Sequence, residues 1–211
     1  MKSDKDGTKQ KVIEAAISLF NVQGYSGTSI RNICERADVN PALVSYYFGG
    51  KKGLLEYLMT SFFENYLKAI EHENTNGSAR DLLIETLRQA LYYQQSKHDI
   101  ARFVHREITL DTMLVREVMS TYLMKEKHVY YEILKKGMDR LEFKKQPIDF
   151  IIIQIRGMVT LPFLHPQYIR EVHHLIPHEE YFILHYIEYL TTWIDQYLCE
   201  RQTKEESLAS S

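Results

Sequence analysis

Apolar residues recur along this chain with the period of an α-helix and almost nowhere with the period of a strand. Val12, Ala15, Ala16, Leu19 and Phe20 follow the spacing i, i+3, i+4, i+7, i+8, which gathers five apolar side chains on one helical face. No clean alternating run occurs, and no Asn-Gly or Asp-Gly turn joins two apolar segments, so β-structure has no support. The chain reads as all-α. Its 211 residues, 45% of them hydrophobic, suffice for a real core in one large or two small domains.

Local stop and start signals divide the first quarter into short helices. The first ends at Gly24, whose missing Cβ permits a left-handed cap. Thr28 and Ser29 offer hydroxyl N-caps to a second helix with Ile33, Cys34 and Ala37 inside, ending near Asp38. Asn40-Pro41 starts a third, with proline at the first helical position, and Gly49-Gly50 stops it. A fourth spans Lys51 to about Glu73, followed by the junction run Asn74 to Ser78. The remainder predicts helices over roughly 80–95, 98–108, 111–140, 147–164 and 178–201, then a polar, disordered tail at 202–211.

Two of the later helices are apolar nearly all round. A helix of that kind must be covered on both sides. The expectation is a homodimer in which Ile151, Ile155 and Met158 of one helix and Ile187, Leu190 and Ile194 of the other form a two-fold four-helix interface. The same segment, Ile148 to Leu164, is too short and too polar for a membrane span, so no membrane partner is expected.

Charge is uneven. The net is -2, but residues 1–52 hold 8 Lys+Arg against 5 Asp+Glu, leaving 18 against 23 for the rest. An anion-binding head on an acidic body fits this split. Cys34 and Cys199 suggest neither a disulfide framework nor a zinc cluster. The N-terminus has no apolar signal region, and a cytoplasmic, nucleoid-associated protein is expected.

The stretch Gly24 to Lys52 carries the chemistry. Two short helices joined by a tight turn, with another packed beneath, form a helix-turn-helix layout, here over residues 29–48. Val44 and Phe48 point inward, and Ala42, Ser45 and Tyr46 lie on the other side. No carboxylate occurs between Asp38 and Glu56, which suits a surface facing phosphates. Small Pro41 and Ala42 let the backbone approach base edges, and Leu43 and Asn40 complete the helix start. Tyr46 and Tyr47 offer hydroxyls to phosphates, Lys51 joins charge to a helix N-terminus, and Arg31 has the fork for guanine or phosphate. Thr28 and Ser29 are candidate contacts at the start of the second helix. Lys2, Lys5, Lys9 and Lys11 are expected as a mobile basic arm.

Taken as a set, Gly24, Tyr25, Thr28, Ser29, Ile33, Ala37, Val39, Leu43, Tyr46, Tyr47, Phe48 and Lys51 resemble the DNA-binding domain of the TetR family of bacterial regulators. The sequence departs from that pattern at Ser45, Cys34, Asp38 and Lys52, where tyrosine, alanine, glycine and an acidic residue are common. The resemblance implies a three-helix head at 1–52 that reads pseudo-palindromic double-stranded DNA. It also implies a helical dimerisation and regulatory body at 53–201. A finer likeness over the whole chain is to a member of the family in spore-forming bacteria that acts on the division protein FtsZ. It implies FtsZ as a partner and a role in cell division; the alternative is an effector-responsive repressor.

Plainer readings stand beside these. A helix-turn-helix can be a packing unit, and Arg31 a solvated residue. His165, His173, His174, His178 and His185 have no Cys partner or HExxH spacing, so no metal or cofactor is expected. Tyrosines and methionines in the body can be core or line a ligand cavity. Arg116-Glu117 and Arg106-Glu107 read as solvated pairs, with Arg102, Arg116 and Glu117 as the candidate partner surface. No nucleophile elbow, phosphate-cradling glycine loop or carboxylate pair supports catalysis.

Overall fold

The computed structural model describes residues 2–71 and 77–199, with side chains from Gly7 onward. The side chains of Lys2 and Lys5, most of the junction run after Glu71 and the tail at 202–211 lie outside the described residues. The elements are α1 (Lys2–Gly27), α2 (Ile30–Ala37), α3 (Pro41–Phe48), α4 (Lys51–Ile70), α5 (Ala79–Ser96), α6 (His98–Ile108), α7 (Met113–Val118), α8 (Met124–Asp139), α9 (Ile148–Leu164), α10 (Pro166–His173) and α11 (Glu180–Trp193). Among the described residues the sole β-feature is an isolated bridge between Phe143 and Cys199.

The predicted inner face of α1 is buried throughout and shares a core with Ile33, Cys34, Ala37, Val44, Phe48, Leu54 and Leu58. That core fixes α2 and α3 on α1 and on the start of α4. Gly24 breaks α1 at φ 76°, so its last turn sets off in a new direction. α4 then runs into the body, where it packs on α5, α6 and α8, while α5 also meets α9 and α11.

The helix expected over 111–140 begins at Met113, with Thr112 as cap. A widened, π-type turn over Met119–Leu123 separates α7 from α8. A second closes the end of α11 over Ile194–Leu198. α10 is an addition to the predicted set: Pro166 opens it, His174 ends it in the left-handed region, and it bends from α9 by 79°. No described helix is long and apolar enough to cross a membrane.

α9 contains Pro162, which has no N–H for the Met158 carbonyl four residues back. The Tyr186 hydroxyl donates to that carbonyl at 2.9 Å, and Gln94 Nε2 donates to the next one, Val159, at 3.2 Å. Burial pushes the Tyr186 phenol up to about 12. A helix interrupted by proline thereby becomes the docking strip for α5 and α11.

This packing corrects the expected dimer face. Ile151, Ile155, Ile187, Leu190 and Ile194 are buried within their own subunit, and of the six only Met158 is partly open. The exposed apolar residues of the same helices are Phe150, Ile153 and Leu161 on α9 and Tyr181, Leu184 and Tyr189 on α11. On a helix apolar all round, periodicity has no polar face to mark which side is outside.

Candidate nucleic-acid interface

The start of α2 is a closed cap. Ser29 Oγ accepts from the Asn32 amide at 3.1 Å, and the Ser29 amide donates to Asn32 Oδ1 at 3.1 Å. This is a capping box with asparagine in the reciprocal position. Thr28 is buried, its hydroxyl donating to the Gly24 carbonyl at 2.8 Å. It is a staple across the kink and its side chain does not face outward, a correction to its expected place among the contacts. A hydroxyl one residue before a cap looks like a second cap in sequence, but only Ser29 occupies the extended N-cap position.

Asp38 ends α2 at φ 54°, in the left-handed region, and Asn40 begins α3 by accepting from the Ala42 amide at 2.8 Å. Val44 and Phe48 are buried, which turns Pro41, Ala42, Ser45 and Tyr46 outward. Tyr46 is 71% exposed. Leu43 and Tyr47 are half-buried at the flanks. The rings of Tyr46 and Tyr47 meet edge-on at 5.2 Å, and Tyr47, Phe48 and Tyr57 continue the aromatic series into α4.

Three cations are already placed by the fold. Lys51 Nζ lies 4.2 Å from the Tyr25 ring centre, and Lys9 Nζ lies 4.2 Å from that of Tyr57. Lys9 is thus docked on α4 by a cation–π contact rather than part of a free arm. Arg31 donates through Nε to Glu35 at 2.7 Å. Both side chains are well exposed, and the pairing raises the guanidinium pKa. Such a surface pair is readily exchanged for a phosphate.

Gly53 was not singled out by sequence, yet it sets the height of α3 on α4. A Cβ there would stand 1.7 Å from the Phe48 carbonyl oxygen. The F-G-G-K-K-G run does carry this signal, as a glycine in a helical first turn where no φ requirement explains it.

Residues 12–58 match the family of bacterial regulatory proteins called the tetR family. Over nearly its full length the chain is similar to the probable HTH-type transcriptional regulator YttP of Bacillus subtilis (strain 168). The two are 44% identical over 193 residues, covering 90% of this chain and 93% of YttP. The chain belongs to the TetR family. It is also 34% identical over 84 residues to IcaR, the negative transcriptional regulator of the biofilm operon icaADBC in Staphylococcus aureus, covering 40% of this chain and 44% of IcaR. A tetR-family regulatory protein from Rhodococcus RHA1 shares the fold, with a TM-score of 0.75 at 18% identity over 92% of this chain and 98% of that one. As a TetR-type transcriptional regulator the protein is not an enzyme.

The TetR head is tied to the body through α6. Arg106 donates to the carbonyls of Phe20 and Asn21, and Asn21 Nδ2 donates to the Asp99 carbonyl at 2.8 Å. The rings of Phe20 and Phe103 stack at 5.0 Å. Glu107 is buried, which raises its carboxyl pKa against the opposing pull of Arg106, and its charge adds to the burial that raises Tyr25. Arg106-Glu107 is therefore an interior seam and not a solvated pair. Adjacent charges look alike in sequence whether or not a distant helix covers them.

Inside the TetR body, Tyr66 donates to Glu126 Oε1 at 2.8 Å and Arg156 closes on the other carboxylate oxygen. Burial, then Glu126, pushes the Tyr66 phenol well up. His105 Nε2 bonds Gln94 Oε1, and burial with Arg156 nearby lowers its pKa to about 3. Tyrosines expected either in the core or around a cavity here join a packed polar network. Among the described residues no group of three or more His, Cys, Asp or Glu is arranged to hold a metal ion.

Of the candidate partner surface, Arg116 pairs with Asp111 through two bonds of 2.7 and 2.8 Å rather than with its neighbour. Glu117 is exposed. Arg102 is half-buried in a cleft at the start of α6.

Proposed function

We propose that this TetR-family chain is a homodimeric, sequence-specific DNA-binding regulator whose two α3 helices enter successive major grooves of a pseudo-palindromic site. The observation that carries this reading is the outer face of α3. Pro41, Ala42, Ser45 and Tyr46 stand exposed on a rigid helix with capped ends, and no carboxylate intervenes before Glu56. Ala42, Ser45 and Tyr46 are placed to meet base edges. Ser29, Arg31, Asn40, Tyr47 and Lys51 then set the register on phosphates, with Pro41 and Leu43 fixing the helix entry. On this reading residues 1–52 are the reader and 53–201 the dimerisation and regulatory body.

TetR-family regulators bind DNA and form dimers. The exposed Phe150, Ile153 and Leu161 of α9, with Leu184 and Tyr189 of α11, support those helices as the dimer face. A two-fold axis there presents two recognition helices about 34–36 Å apart.

The test is Tyr46→Ala combined with Lys51→Ala, measured against a duplex selected from random sequence. Binding falls at least tenfold and the salt slope shrinks by about two, one phosphate contact being lost from each subunit. Sedimentation still shows a dimer. Unchanged binding removes α3 from the interface.

The body supports an effector-responsive repressor best, because α6 holds both the head and the buried network. A second reading follows the likeness to RefZ, the family member that acts on FtsZ in cell division. Exposed Glu117 on α7, and Arg116 of the same helix paired with Asp111 just before it, favour a protein partner there. Purified FtsZ whose assembly responds to the wild type but not to Glu117→Lys would support it; equal response to both would remove that surface.

A further inference from the structure

A cleft of about 180 Å³ lies where the start of α6, the α9–α10 bend and the loop before α11 meet. Arg102 reaches it from α6 and Arg170 from α10. Among the described residues Arg102 has no carboxylate within ion-pair distance. Arg170 donates through Nε to Glu171 at 2.9 Å, and its terminal amino groups have no hydrogen-bond partner among the described residues.

The imidazoles of His98 and His178 stack at 4.5 Å in the same cleft. Their places are fixed from α5: His98 Nδ1 bonds the Gln95 carbonyl at 3.2 Å, and Gln95 Nε2 bonds the His178 carbonyl at 3.2 Å. Gln167 adds an amide from the first turn of α10, and Phe163 supplies an apolar wall. Asp99 is the opposing charge; it lies 3.7 Å from His98 Nε2 and its side chain is 75% exposed.

Two guanidiniums from separate elements, with imidazole and amide donors between them, match a compact oxyanion that accepts hydrogen bonds in several directions. The first turns of α6 and α10 border the same space, so the positive ends of both helix dipoles favour an anion there. The apolar wall leaves room beside the anion for an organic group.

We propose that this cleft binds the phosphate group of a small phosphorylated metabolite, and that occupancy changes DNA affinity through α6. The coupling rests on the DNA-binding reading above; the site itself does not. Arg102 is on the helix that carries the Asp99 carbonyl and Arg106, both bonded to α1. A ligand that draws Arg102 toward Arg170 acts on the helix that holds the head.

The experiment has two arms, with inorganic pyrophosphate as the probe and chloride as the ionic-strength match. In the first, the full-length protein without DNA is titrated by calorimetry and by NMR of the histidine rings. Saturable binding with shifts at His98 and His178, weakened at least tenfold by Arg102→Gln with Arg170→Gln, is the expected result. The double variant must keep the wild-type thermal midpoint, and Arg116→Gln must bind as the wild type does. No saturable binding, or equal binding by the double variant, overturns the site whether or not the protein binds DNA. In the second arm, pyrophosphate shifts the affinity for a selected duplex at least threefold in the wild type and not in the double variant. An equal shift in both, or none in either, overturns the coupling.

Discussion

Replacing Gly53 by alanine separates two opposed effects of known sign. In an unobstructed helix the change stabilises by about 1 kcal/mol, because alanine orders more readily than glycine. Here the new Cβ would stand 1.7 Å from the Phe48 carbonyl oxygen and 3.0 Å from its carbonyl carbon. It is more than an ångström too close to backbone atoms, which cannot rotate aside. Overpacking of this kind costs about 1–3 kcal/mol. The displacement also strains the caps on either side, Gly49 N–H to Ser45 at 2.9 Å and Leu54 N–H to Gly50 at 3.0 Å, each worth about 1 kcal/mol. The net expectation for Gly53→Ala is a loss of about 2–4 kcal/mol in urea unfolding. An accompanying tenfold or larger loss of DNA affinity is expected, since α3 is the element that must move. A variant more stable than the wild type by about 1 kcal/mol would refute the reasoning, because only an unobstructed position gives that sign.

Other outcomes follow from single contacts. His105, at about 3 when folded and about 6.5 when unfolded, stays neutral in the native protein. Its contribution is complete above pH 6.5 and is lost as pH falls toward 3, by up to about 1.4 kcal/mol per unit; urea midpoints at pH 7 and pH 5 differ less in His105→Gln than in the wild type. Arg106→Ala leaves the Phe20 and Asn21 carbonyls without their donor and lowers stability by about 1–3 kcal/mol, with hydrogen exchange of α1 amides accelerating more than that of α5. Asp38→Gly relieves a left-handed residue and stabilises by about 1 kcal/mol, seen as a higher thermal midpoint with DNA binding intact.

What could be read in advance depended on how local the cause was. Gly24, Ser29, Asn40-Pro41 and Gly49-Gly50 act on their immediate neighbours, so the head's helices end close to where those residues imply. α3's outer face followed from Val44 and Phe48 alone. By contrast, α10 buries only Ile169, too little apolar periodicity to announce a helix. The outside of α9 depends on which neighbours cover it. Thr28 and Lys9 each found a partner that composition did not suggest, a carbonyl across a kink and an aromatic ring on α4. The Arg106 contact joins residues 85 and 86 apart in sequence, beyond the reach of any spacing rule.

That contact also bears on where the chain can be cut. The last carbonyls of the first stretch of α1 are satisfied by a guanidinium from the body, and Phe20 rests on a ring from the same helix. A fragment ending at residue 52 would surrender both, leaving bare carbonyls and an uncovered aromatic at the base of the reader. The smallest unit that folds cooperatively thus includes α6, and with it the 78 to 86 residues of chain that return it to α1. Unfolding of the reader and of the body should follow one transition, so a fusion built on the first 52 residues alone inherits the recognition face without the support that holds it in shape.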